Sequence, residues 1–101
     1  MAPRLELHAI LVNILGSNNV YFQPPASIQL QYPCITYKRD NAVTLHADDK
    51  PYMMSTRYQV TVIDRNPDSE IPSAIAALPM CIFDRFYTAD NLNHDVYKLF
   101  F

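Results

Sequence analysis

One stretch near the middle of the chain, Arg57-Tyr58-Gln59-Val60-Thr61-Val62-Ile63-Asp64-Arg65, constrains the fold more than any other. Tyr58, Val60 and Val62 fall on one side of an extended backbone and Gln59, Thr61 and Ile63 on the other. This period of two, carried by β-branched and aromatic residues, predicts a strand. Asp64-Arg65-Asn66-Pro67-Asp68 ends it with a cluster of turn formers. Apolar residues on both sides place the strand inside a sheet, so the remaining segments are read as what surrounds it.

A chain of 101 residues gives one domain. Half of its residues are hydrophobic, which places it among globular and not disordered chains. The sequence has a single glycine, Gly16, against eight prolines. Positive φ is therefore cheap at few turns, and a glycine-rich phosphate cradle is excluded. The net charge is −2 with no basic face or stripe, so there is no electrostatic footprint for nucleic acid. No apolar run reaches the ~18–20 residues of a membrane span. No secretory leader is apparent, because Glu6 and His8 interrupt the N-terminal apolar stretch. Cys34 and Cys81 read as small buried residues, with a disulfide as the other option. The expectation is a soluble chain made in a reducing cytoplasm.

Pro3–Leu15 predicts a first helix, with Leu7, Ile10, Leu11 and Ile14 at i, i+3, i+4, i+7 and Gly16 as its left-handed stop. Leu5, Val12 and Leu15 widen the apolar surface beyond one stripe, which asks for cover on most sides. Val20–Gln23 predicts a short strand ended by Pro24-Pro25. Ala26–Tyr32 allows an edge strand, and Cys34–Lys38 a firmer one. Val43–Met54, within a segment at about 40–56, reads as a long loop arm between two antiparallel strands. An arm of that length in so small a domain is usually functional or interfacial. After the central strand, Asp68-Ser69 is placed to cap a short helix that buries Ile71, Ala74, Ile75 and Leu78 and stops at Pro79. Cys81–Thr88 and His94–Phe101 predict a closing hairpin joined at Ala89–Asn93. The fold class is α+β: a mainly antiparallel sheet, an N-terminal helix and a second short helix in a single domain, residues 1–101.

No catalytic constellation emerges. His8, His46 and His94 and the two cysteines lie at no ligand spacing, so no metal or other cofactor is expected. Cys81 and His94 are the one nucleophile–base pair that a hairpin brings together, with no third group to orient them. The seven tyrosines read as core and interface residues, because the basic residues are matched by acids. Asp64-Arg65 and Asp84-Arg85 each set an acid beside a base at a strand. They serve either as solvated charge pairs or as salt bridges between neighbouring subunits.

Three stretches carry a resemblance: YPCITYKRD at 32–40, ADDKPYMMSTRYQVTVIDRNPDSEIPSAIAALP at 47–79 and FDRFYTADNLNHDVYKLFF at 83–101. They resemble small virion proteins of tailed bacteriophages and prophages, variously called tail completion, tail terminator or minor structural proteins. The element order is similar to the lambda-type tail terminator fold. The resemblance implies a non-enzymatic structural protein of the virion neck, assembled in the bacterial host cytoplasm. Its subunits would form a homo-oligomeric ring, a hexamer by expectation, that ends the tail tube. Partners would be the tail tube protein and the head connector or stopper protein, with DNA only as passing cargo and no membrane. Residues expected at subunit or partner contacts are Asp48, Asp49, Lys50, Tyr52 and Met53 in the arm, Asp64, Arg65, Asp84 and Arg85, and Phe100 and Phe101 at the apolar C-terminus. Two alternatives stay open: a head–tail joining or stopper protein, and a protein-binding module unrelated to virions.

Overall fold

The computed structural model describes residues 3–47 and 50–101, with only the backbone described from 41 to 55. The elements run α1 (Pro3–Leu15), β1 (Val20–Phe22), β2 (Cys34–Ala47), β3 (Lys50–Asp64), α2 (Ile71–Ala76), β4 (Cys81–Ala89) and β5 (Leu92–Phe100). The five strands form one sheet in the order β1-β2-β3-β5-β4. Only the β1–β2 pairing is parallel. The fold is α+β, as expected, and β3 is its central strand.

The alternation of β3 sorts its side chains onto two faces. Tyr58, Val60 and Val62 join Leu7 and Leu11 of α1, Ile35 and Tyr37 of β2, Ile75 of α2, and Tyr97 and Leu99 of β5 in the main core. Ile63 enters a smaller cluster on the opposite face with Cys34 and Leu92, which Leu30 and Tyr21 help to cover. The segment between β1 and β2 thus lies over one end of the second face, and no strand forms at 26–32. Prolines at 24, 25 and 33 bound the segment on both sides.

Polar ties fix the helices on the sheet. The Tyr37 hydroxyl is hydrogen-bonded with His8 Nδ1 at 2.7 Å, and Arg4 donates to the same oxygen at 3.5 Å. Burial raises the Tyr37 pKa and keeps the phenol neutral. The Tyr97 hydroxyl donates to the Pro72 carbonyl at 3.1 Å and holds α2 to β5. The second helix is shorter than expected, ending at Ala76. Its capping position is Glu70, which makes no side-chain cap. Ser69 Oγ instead accepts the Ile71 N–H at 3.3 Å, and the Asp68 N–H donates to Asn66 Oδ1. Ile75 is buried, Ile71 and Leu78 are half-buried, and Ala74 is exposed.

The largest correction concerns the segment read as a loop arm at 40–56. It is a β-ribbon. β2 and β3 stay paired from Cys34↔Ile63 out to Ala47↔Lys50. β5 begins to pair with β3 only at Arg57↔Phe100, so Lys50–Thr56 has β2 as its sole strand partner among the described residues. Seven residues of strand project the ribbon by about 23 Å at ~3.3 Å per residue. The molecule is correspondingly elongated, 50 × 24 × 24 Å. Sequence alternation fails here for a visible reason. Register shifts between Arg39 and Asn41 and between Leu45 and His46 break the period of two.

Candidate assembly surfaces

At the root of the ribbon, Asp40 is the extra residue of the first bulge, between Arg39↔Tyr58 and Asn41↔Arg57. Its Oδ2 accepts from Lys98 Nζ at 2.6 Å and from Arg57 Nε at 3.0 Å, and Lys98 also donates to Gln59 Oε1 at 3.1 Å. One carboxylate therefore links β2, β3 and β5 where the third strand ends. The Lys98 hydrogen bond, followed by the charges of Lys98 and Arg57, holds the Asp40 pKa below the usual carboxylate range, against partial desolvation.

The second surface is the sheet edge at β4. Its residues after Cys81 are exposed on both faces. Ile82 is 61% exposed, Phe83 54%, Phe86 53% and Tyr87 41%, a run of large apolar side chains in contact with solvent. Among the described residues no strand covers the outer side of β4. Long apolar edges are ordinarily blunted, because their free N–H and C=O groups recruit other strands. Two cross-strand contacts order the side chains here. Phe83 meets Tyr97 edge-on at 5.5 Å between ring centroids, and Tyr87 stacks on His94 at 4.5 Å.

A third feature is an apolar hollow of about 230 Å³ between α1, the α2–β4 link and the end of β5. Leu7, Ile10, Met80 and Phe101 are among its walls, and Met80 is 65% exposed at its rim. A more open hollow of about 450 Å³ lies over β2 and β3, with Thr36, Lys38, Gln59 and Thr61 among its walls.

The residues expected at contacts fall in separate places. Asp48 and Asp49 lie outside the described residues. Lys50, Tyr52 and Met53 are strand positions of the ribbon, whose side chains also lie outside the description. Asp64 accepts the Asn66 N–H at 2.9 Å, and the exposed Arg65 sets its guanidinium over Tyr32 at 5.9 Å. Both stand at the end of β3 far from the ribbon. Asp84 and Arg85 bridge each other at 2.9 Å on the β4 edge. Phe100 and Phe101 line the apolar hollow, and the Phe101 N–H donates to Thr56 O at 3.0 Å. Sequence reasoning missed the apolar run Ile82, Phe83, Phe86 and Tyr87. It also missed the Asp40–Lys98 link, whose partners lie 58 residues apart and leave no local signal.

Among the described side chains the cysteines and histidines do not gather. Cys81 stands opposite Leu99, whereas His94 stands opposite Tyr87, five residues away along β5. Cys34 and Cys81 are free thiols in different parts of the sheet, Cys34 on the face away from α1. Burial, reinforced by Asp64, pushes the Cys34 thiol up to about 11 and leaves it protonated at neutral pH. Among the described residues no three His, Cys, Asp or Glu side chains group as metal ligands.

Comparisons with protein-family models, with curated proteins and with solved structures find no match for this chain.

Proposed function

We propose that this chain is a structural subunit of the head–tail junction of a tailed phage. Its copies form a ring that ends the tail tube and docks it to the head connector. The observation that carries this reading is the ribbon. A two-stranded ribbon is marginal in water on its own and becomes stable when packed against something else. This one leaves the sheet at a bulge braced by Asp40, Arg57 and Lys98 and, among the described residues, has no third strand over about seven residues. Such a projection suits a head-to-tail contact, in which the ribbon of one subunit lies on the body of the next until the ring closes. The phage assignment itself rests on the sequence resemblance at 32–40, 47–79 and 83–101. With a net charge of −2 the chain does not attract passing DNA.

Deleting the gene from its phage or prophage and imaging the lysate by negative-stain electron microscopy tests the reading. Filled heads beside overlong, uncapped tubes are the expected result. Filled heads beside unattached tails of normal length would assign the chain to head–tail joining instead. Intact, infectious virions would overturn the virion reading.

A further inference from the structure

The β4 edge carries a pattern that its sequence order alone does not reveal. Ile82-Phe83-Asp84-Arg85-Phe86-Tyr87 is complementary to itself when reversed: isoleucine meets tyrosine, phenylalanine meets phenylalanine, and aspartate meets arginine. In an unbroken strand Phe83 and Phe86 would point to opposite faces. The register shift between Phe83 and Arg85 makes Asp84 an extra residue and changes that parity. Phe83 then pairs with Tyr97 and Phe86 with Asp95, two residues apart on β5, so both phenylalanines share the face of α1. Ile82 and Tyr87, opposite Lys98 and His94, share the other face.

The backbone agrees. The Phe100 N–H donates to the Met80 carbonyl, so Met80 and Ile82 direct their backbone groups toward β5 while Cys81 and Phe83 direct theirs outward. By the same ladder Phe86, opposite Asp95, also directs its groups outward.

We infer that the outer edge of β4 docks a second copy of this chain, β4 against β4 in antiparallel two-fold pairing centred between Asp84 and Arg85. Phe83 of each copy then faces Phe86 of the other on one side of a continuous ten-stranded sheet. Ile82 faces Tyr87 on the other side, and the two Asp84–Arg85 bridges merge into a quartet of alternating charge. Charges and a bulge at mid-strand normally discourage edge pairing. Here the opposite signs at adjacent positions admit this register and oppose others, which supplies specificity. The contact is isologous, so it is distinct from the head-to-tail contact of a ring and does not depend on the phage reading.

The pairing places Thr88 opposite Cys81 of the second copy, at a Cα separation within disulfide range. Thr88→Cys is therefore expected to give a covalent dimer on mild oxidation of the full chain, read on a non-reducing gel. Cysteine at the exposed Ser73 serves as the control for random collision. In the Thr88→Cys background, Asp84→Arg sets like charges opposite each other and slows crosslinking by about tenfold, from two cross-strand charge pairs. Adding Arg85→Asp restores the rate by recreating the complementary order. Crosslinking no faster than the Ser73→Cys control, or unaffected by Asp84→Arg, would overturn the inference. The restored rate in the double variant separates lost pairing from lost folding, and a phage deletion result in either direction leaves this test unchanged.

Discussion

At the scale of single residues, two positions show how backbone and charge choices are made. Gly16 has φ of +78° after the last turn of α1, and its N–H donates to Val12 O at 2.9 Å. Nothing lies within 4 Å of where a Cβ would stand, so the position needs glycine for its dihedral and not for space. Gly16→Ala is expected to cost about 1–2 kcal/mol, the left-handed penalty of an L-residue, read as a shift in the denaturation midpoint. Asp40 is the second case. Its folded pKa is depressed, mainly by the Lys98 hydrogen bond, so its contribution is present above the ordinary aspartate range and is lost as pH falls through the depressed value. Asp40→Asn should lower Tm at pH 7, and the gap to wild type should close as pH falls through the depressed Asp40 value. Asp95 has the opposite sign. Burial raises its pKa, only partly offset by His94, so ionisation destabilises the fold as pH rises through that value. Asp95→Asn should raise Tm at pH 7 and lose that advantage in acid. Thermal melts of the three chains across pH check both signs.

At the scale of elements, legibility followed regularity. The first helix and the central strand were readable because a period of 3.6 or 2 runs through each, and the closing hairpin because β5 alternates and turn formers at Ala89–Asn93 join it to β4, although Asp84 interrupts the period of β4. The hairpin turn reduces to Asp90-Asn91, both at positive φ, the pair of dihedrals that a tight right-twisted hairpin prefers. The ribbon was not readable. Its bulges reset the alternation, and Asp40-Asn41 and Lys50-Pro51 carry turn-like chemistry inside strands. Among the described residues β2 is the sole strand partner of Lys50–Thr56, and within sheets proline is confined to such edge positions and to bulges. The ribbon is expected to be separable from the core. Replacing Val43–Ser55 by Asn-Gly would join Ala42 to Thr56, a paired position, by a two-residue turn. The shortened chain should keep a cooperative melt, because it retains the whole main core of the described residues, Leu7, Leu11, Val60, Ile75 and Leu99 among them. By contrast Leu11→Ala, at a fully buried position shared by α1 and the sheet, should cost about 2–5 kcal/mol.

At the scale of the whole molecule, the sheet offers two kinds of contact. In the two proposals the ribbon contacts a head-to-tail neighbour and the β4 edge contacts its own two-fold image. Strand order governs both, and strand order is a long-range property that residue patterns do not state. Nothing in the segment Cys81–Ala89 says that it lies at an edge. That follows only from β5 returning between β3 and β4. The expected contact residues were spread along the chain for the same reason. They were chosen for their chemistry, and the topology then set Asp64 and Arg65 at one end of the sheet and Phe100 and Phe101 at the other.

The most direct measurement is complementation of the gene deletion by the ribbon-shortened chain, with tube lengths scored by negative-stain electron microscopy. The full chain supplied in trans should restore capped tubes joined to heads. The shortened chain, folded and present at equal level, should leave them overlong and unattached. Restoration by the shortened chain would contradict the assignment of assembly to the ribbon.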